Sequence, residues 1–170
     1  MFSIEKCTVI PNSLLASYAE NGYADSYRTE LPGHISMEDY VFSFYTTALF
    51  KLERFILTWT VLKPSSDLQA KELMNGKTDK FAAWTIETRN ENELLMCDML
   101  KQTRSWFMVK HNGTENNPRT QLYFGTGIAP ATRGAATKKS IGLFFILLLP
   151  FHKMYSVFLL LFARQRLSRH

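Results

Sequence analysis

Two residues carry reactive groups on an apolar background: Asp98, within Met96-Cys97-Asp98-Met99, and His152, which follows Pro150-Phe151. A carboxylate in an apolar cavity has a raised pKa suited to acid–base work. An acid at a strand end beside a hairpin usually bonds the turn instead, and that is the role expected of Asp98. With Lys101-Gln102 as a two-residue loop, Asp98 would pair opposite Ser105 and Met99 opposite Arg104. His152, with Tyr155 one turn away, would suit a ligand anchor or a proton carrier. The plainer expectation is that it bonds a carbonyl freed by Pro150.

The other histidines, His34, His111 and His170, are scattered, and no HxxxH or HExxH spacing occurs. No metal site and no cofactor are expected. Cys7 and Cys97 have no CxxC or Cys/His spacing and read as free thiols. Gly125-Thr126-Gly127 lies in a predicted strand without a following helix and lysine, so it is not a phosphate loop. It reads as a bulge, or as space for a bulky neighbour. Asn112-Gly113-Thr114 matches a glycosylation sequon, but the opening Met1-Phe2-Ser3-Ile4-Glu5 does not resemble a secretory signal. The site therefore reads as a hairpin turn, and cytoplasmic residence is the default expectation.

The elements that must position these groups fit one domain, residues 1–170. Hydrophobic residues make up 46% of the chain and aromatics 14%, which excludes disorder. The net charge of +5 is mild and concentrated near the C-terminus, unlike a nucleic-acid surface. Thr8-Val9-Ile10 reads as a short extended piece, followed by a helical turn at Leu14–Tyr18 with Ser13 as cap. Alternation from Tyr23 to Leu31 predicts a strand closed by Pro32-Gly33. Ser36-Met37-Glu38-Asp39 starts a helix running toward Pro64, either unbroken or bent near Ala48-Leu49. Ser66 starts a shorter helix through Met74, with Asn75-Gly76 as its C-cap. Strands are then predicted at Phe81–Thr88, Glu93–Leu100, Thr103–His111 and Thr120–Ile128, an antiparallel meander. Leu94-Leu95-Met96 and Trp106-Phe107-Met108-Val109 are apolar on both faces, which implies burial on two sides or a cavity on one.

After a small-residue loop at 131–140, with Thr137 as a candidate cap, residues 141–163 contain almost nothing polar. Pro150 is expected to kink a helix here or split it in two. The stretch is long enough to span a bilayer, but Lys153 at its middle would cost about 2.5–3.5 kcal/mol there. A helix pair packed on the meander, with Lys153 snorkelling to water, is preferred. Membrane contact through residues 141–163 stays an open alternative.

Tyr23-Ala24-Asp25-Ser26-Tyr27, Leu95-Met96-Cys97-Asp98, Thr103-Arg104-Ser105-Trp106-Phe107-Met108, Leu122-Tyr123-Phe124-Gly125 and Pro150-Phe151-His152-Lys153-Met154-Tyr155 occur in an order that resembles a bacterial domain-of-unknown-function family. That family is similar to the START/Bet v1-like (SRPBCC) superfamily. The resemblance spans nearly the whole chain. It implies an α+β helix-grip fold: an antiparallel sheet wrapped on a long, Pro-kinked C-terminal helix, with a hydrophobic cavity between them. Superfamily members bind lipids, polyketides, quinones or hormones, and a minority catalyse cyclisation or dehydration. The family supplies no catalytic residues to carry over.

The expected function is binding of a small hydrophobic ligand, without catalysis. Trp84, Trp106, Tyr123, Phe145 and Tyr155 are the expected walls, and Asp98, Arg104 and His152 the polar contacts. A cyclase or dehydratase using Asp98 or His152 is the alternative from another class. Oligomeric state is not legible.

Overall fold

The computed structural model describes the backbone over residues 4–61, 65–129 and 138–169, and the side chains of these residues except 21, 53, 56–61 and 138–152. It is an α+β fold. In chain order come β1 (Glu5–Cys7), α1 (Ala16–Asn21), β2 (Tyr23–Pro32), α2 (Met37–Tyr45), α3 (Ala48–Val61), α4 (Asp67–Met74), β3 (Lys80–Phe81), β4 (Trp84–Arg89), β5 (Glu93–Asp98), β6 (Thr103–Thr114), β7 (Asn117–Ile128) and α5 (Lys138–Leu167). The strands form one seven-stranded sheet in the order β1-β2-β7-β6-β5-β4-β3, every pairing antiparallel. The predicted meander is present, and the long strand β2 pairs with its last strand, β7.

Local signals explain most boundaries. Ser36 caps α2 by accepting from the Asp39 amide at 3.0 Å, and Ser66 with Gln69 forms a capping box on α4. Gly76, at φ +68°, takes the left-handed position after α4. The break between α2 and α3 falls at Thr46-Thr47. Thr46 Oγ1 donates to the Phe42 carbonyl at 2.7 Å, Thr47 Oγ1 donates to the Phe44 carbonyl at 2.9 Å, and Thr47 Oγ1 also accepts the Phe50 amide. Two hydroxyls competing for backbone partners end one helix and start the next.

Several expectations need correction. Ser13 does not cap α1: the residue before that helix is Leu15, with no side-chain cap. The N-terminal strand is Glu5–Cys7 and does not include Thr8-Val9-Ile10. The β5–β6 loop is four residues, Met99–Gln102, because Met96 pairs with Ser105 and Cys97 with Arg104. That register differs by two from the predicted one, so each side chain keeps its face. Asn112-Gly113 is not the hairpin turn either: β6 and β7 stay paired out to Thr114 and Asn117. Finally, Pro150 does not split the last helix, since α5 runs unbroken from Lys138 to Leu167. The predicted cap Thr137 and most of the preceding loop lie outside the described residues.

The sheet has two apolar faces. On one, Tyr27, Leu31, Leu94, Met96, Phe107, Val109, Leu122 and Phe124 pack against α2, α4 and the second half of α5. Leu159, Leu160 and Ala163 of α5 are buried there, a stripe at helical spacing. On the other face, Leu95, Trp106 and Tyr123 pack under Leu15, with Val9, Ile10, Leu14 and Tyr18 around them. The second cover is the N-terminal segment. Gly125 and Gly127 make room for it: a Cβ on Gly125 would sit 2.6 Å from Leu15 Cδ2 and 2.8 Å from the Asp25 carbonyl oxygen. Gly125→Ala should therefore destabilise the fold by about 1–3 kcal/mol in urea unfolding; an unchanged midpoint would show that the segment shifts freely.

Candidate functional site

The structure does not bring the eight expected site residues together. Trp84 packs against the helix-facing core, as does Tyr155. Asp98 holds its hairpin: its Oδ1 accepts the Gln102 amide at 2.7 Å and the Thr103 amide at 3.1 Å, the local role expected of it. Trp106 and Tyr123 belong to the opposite face, against the N-terminal segment, and line no space beneath α5. The reason is strand parity: Phe107, Phe124 and their i±2 neighbours point to the helices, so Trp106 and Tyr123 point away. Arg104 lies on that outer side too, hydrogen-bonded to Glu87 at 2.9 Å and stacked over the Tyr18 ring at 5.0 Å. Nearby, burial pushes the Cys97 thiol up, away from nucleophile chemistry. The side chains of Phe145 and His152 lie outside the described residues.

Two other features of the helix-facing side have the marks of a site. The first is a half-open cavity of about 800 Å³ at one end of α5. Leu31, Ile35, Phe42 and Leu167 give it apolar walls, and Ser43, Asp39, Arg164 and Arg166 add polar groups. Arg164 is buried, and its Nη1 donates to Thr29 Oγ1 at 2.9 Å. Arg166 donates to the Thr46 carbonyl at 2.9 Å. These two bonds fix the last turns of α5 to β2 and to the α2–α3 break, so the cavity wall is preformed. Burial lowers the Arg164 pKa from its ordinary value, but a guanidinium remains charged. His34 on the rim stacks on His111, ring centroids 3.8 Å apart. The His111 pKa is lowered, by burial first and then by the charge of His34.

The second feature is a polar floor near the start of β2, beside the middle of α5. Across neighbouring strands Asp25 pairs with Thr126, and Thr126 with Ser105. All three share the face of Tyr27, Phe124 and Phe107, so three polar side chains stand side by side next to the core residues of that face. Asp25 is 4% exposed. Its Oδ2 accepts the Tyr23 hydroxyl at 2.9 Å, while its Oδ1 has no hydrogen-bond partner among the described residues. The Tyr27 pKa is pushed up to about 12, by burial first and then by Asp25. The Tyr23 pKa is also raised, by burial first, then by its hydrogen bond to Asp25 and the charge of that residue. Both phenols are thus held protonated beside the carboxylate. Above the floor, the Lys153 ammonium lies 5.7 Å from the Tyr23 ring centroid.

Sequence reasoning placed Asp25 in a strand but passed over it as a functional group. The available signal was its parity, which puts it with Tyr23, Tyr27 and Leu31. Among the described residues no group of His, Cys, Asp and Glu could hold a metal ion. Comparisons with family models, curated proteins and solved structures find no match, so the chemistry of these two places rests on their own geometry.

Proposed function

We propose that the protein is a non-catalytic binding module for a small hydrophobic ligand, held between the sheet and the C-terminal helix. The observation that carries this reading is the 800 Å³ cavity where β2, α2 and α5 meet. Its size falls within the range of small-molecule sites, and its lining combines apolar walls with a few polar groups. The element order supports a helix-grip, START/Bet v1-like assignment: the long strand β2, helices, a meander that returns to that strand, and a long terminal helix. Cytoplasmic residence belongs to the same proposal.

Native mass spectrometry of the purified protein should show a co-purified apolar molecule. In addition, 8-anilinonaphthalene-1-sulfonate should bind with enhanced emission, and Ser168→Trp, which puts a ring into the cavity from the end of α5, should weaken it at least tenfold. Dye binding unaffected by Ser168→Trp, with no co-purified molecule, would remove the cavity as a ligand site.

A second reading, contact with a membrane surface, has its own observation. Met154, Phe158 and Phe162 recur at i+4 spacing on α5 and stay 52%, 43% and 40% exposed. Among the described residues no helix is long and apolar enough to cross a membrane, so this reading takes the form of peripheral contact. Flotation with anionic vesicles that is lost when Phe158 and Phe162 become Ser would favour it.

A further inference from the structure

The cavity does not account for Asp25. α5 runs in the same direction as β2, with Lys153 over Tyr23 and Arg164 on Thr29. The floor therefore lies beside the middle of this helix and the cavity at its C-terminal end. The distance from Lys153 to Ser168 is about 22 Å at 1.5 Å per residue. Between them Leu159, Leu160 and Ala163 are packed into the core, so one small ligand does not fill both.

An acid on the core-facing side of a strand normally has both oxygens satisfied. Asp25 has one oxygen bonded to Tyr23 and one without a partner among the described residues. Among those residues no ion pair reaches it. Thr126 and Ser105 continue the polar row across the sheet from it. Tyr23 and Lys153 are only half-buried, so the start of β2 is where solvent comes nearest to the row, and a head group would enter there. The Tyr23 ring already accommodates an ammonium over its face, that of Lys153.

We propose that Asp25 anchors a second ligand site on the helix-facing side of the sheet, taking the hydrogen-bond-donating head group, a hydroxyl or an ammonium, of an apolar molecule. Oδ1 accepts the donor. Tyr23 and Tyr27 flank the head group with aromatic surface, and Thr126 and Ser105 extend the polar row beneath it. An anionic head group would meet the carboxylate and is excluded. The site shares with the proposed function the premise that the helix-facing side receives apolar ligands, but it uses none of the cavity residues.

Three probes with one tail and different heads test it: decylamine, 1-decanol and decanoate, each titrated into the full chain by isothermal calorimetry. Wild type should bind decylamine or decanol at least tenfold more tightly than decanoate. Asp25→Leu should abolish that preference, while its melting temperature stays the same or rises, since an unsatisfied buried oxygen has been removed. A merely structural Asp25 would instead lower the melting temperature. Asp25→Asn keeps the acceptor and removes the charge. It should cost an ammonium probe tenfold or more and a hydroxyl probe threefold or less, which separates the two sources. Should Asp25→Leu fail to fold, the Asn variant decides through decanoate: with the charge gone its affinity should come within threefold of decanol's, and a retained tenfold preference against decanoate overturns the site.

Equal affinity for all three heads in wild type, or unchanged binding in Asp25→Asn and Asp25→Leu, overturns the site. Ser168→Trp distinguishes it from the cavity. A probe lost from Ser168→Trp but retained by Asp25→Leu supports the cavity and overturns the Asp25 site. The opposite pattern supports Asp25 and leaves the cavity without a ligand.

Discussion

Phe44→Ala should lower the free energy of unfolding by about 3–5 kcal/mol. Phe44 is fully buried on α2 and sits at the centre of an aromatic cluster. Its ring centroid lies 4.7 Å from that of Phe124 and 4.8 Å from that of Phe107 on the sheet. Within the helical layer Tyr40, Tyr45 and Phe50 contact it as well. Two of these neighbours are fixed by β-ladder pairing, Phe107 directly opposite Phe124, so they do not collapse into the space left behind. The cavity term therefore adds to the transfer term. Phe44→Leu conserves most of the volume and should cost less, roughly 1.5 kcal/mol. Equilibrium urea unfolding with an unchanged m-value would check both. A loss below about 1 kcal/mol for the alanine variant would mean that α2 is not seated on the sheet through this ring.

The same cluster shows what the sequence reveals and where it stops. Met37, Val41 and Phe44 at helical spacing, and Phe107 and Val109 at period two, place the helix and the strand and put their apolar sides together. The strands of the meander are legible for the same reason. What covers each side is not legible. Leu94-Leu95-Met96 and Trp106-Phe107-Met108 announce burial on two sides or a cavity on one, without saying what covers the second face. It is the N-terminal segment, through Leu15 and its neighbours, whose own pattern is too short to show a period. The hairpin register failed for a different reason. Lys101 adopts φ +57° within a four-residue loop, and a non-glycine residue in that region carries no sequence mark. At Pro150 the missing N–H was expected to kink or split the helix, but α5 runs through it without a break.

Asp25 was open to detection. In a strand read as alternating, an acid that falls on the side of Tyr27 and Leu31 contradicts the pattern. Natural sequences break local rules mainly at functional or strained positions. Asp98 drew attention because its immediate neighbours are apolar, yet those neighbours alternate faces and say little about its own. Parity on the strand is the better guide, and on that criterion Asp25, Thr126 and Ser105 stand out as a group.

Trp106→Ala should be as damaging as Phe44→Ala, again about 3–5 kcal/mol, but through the opposite face. The indole is fully buried against Tyr123, with ring centroids 6.2 Å apart. Its Nε1 donates to Glu93 Oε2 at 2.7 Å, and the same carboxylate oxygen accepts the Leu14 amide at 2.8 Å. One acid thus ties the sheet to the N-terminal segment, and the indole holds that acid in place. Removing the ring opens a void under Leu15 and leaves Glu93 with one fewer donor. Trp106→Phe keeps most of the apolar area and loses the hydrogen bond, a cost of roughly 1–2 kcal/mol. The comparison that matters is with ligand binding. Because Trp106 faces away from the cavity lined by Leu31, Phe42 and Leu167, Trp106→Phe should change the affinity for 8-anilinonaphthalene-1-sulfonate less than twofold while lowering the urea midpoint. If the variant instead kept its midpoint and lost the dye, Trp106 would be a pocket wall, and the assignment of the two faces would be reversed.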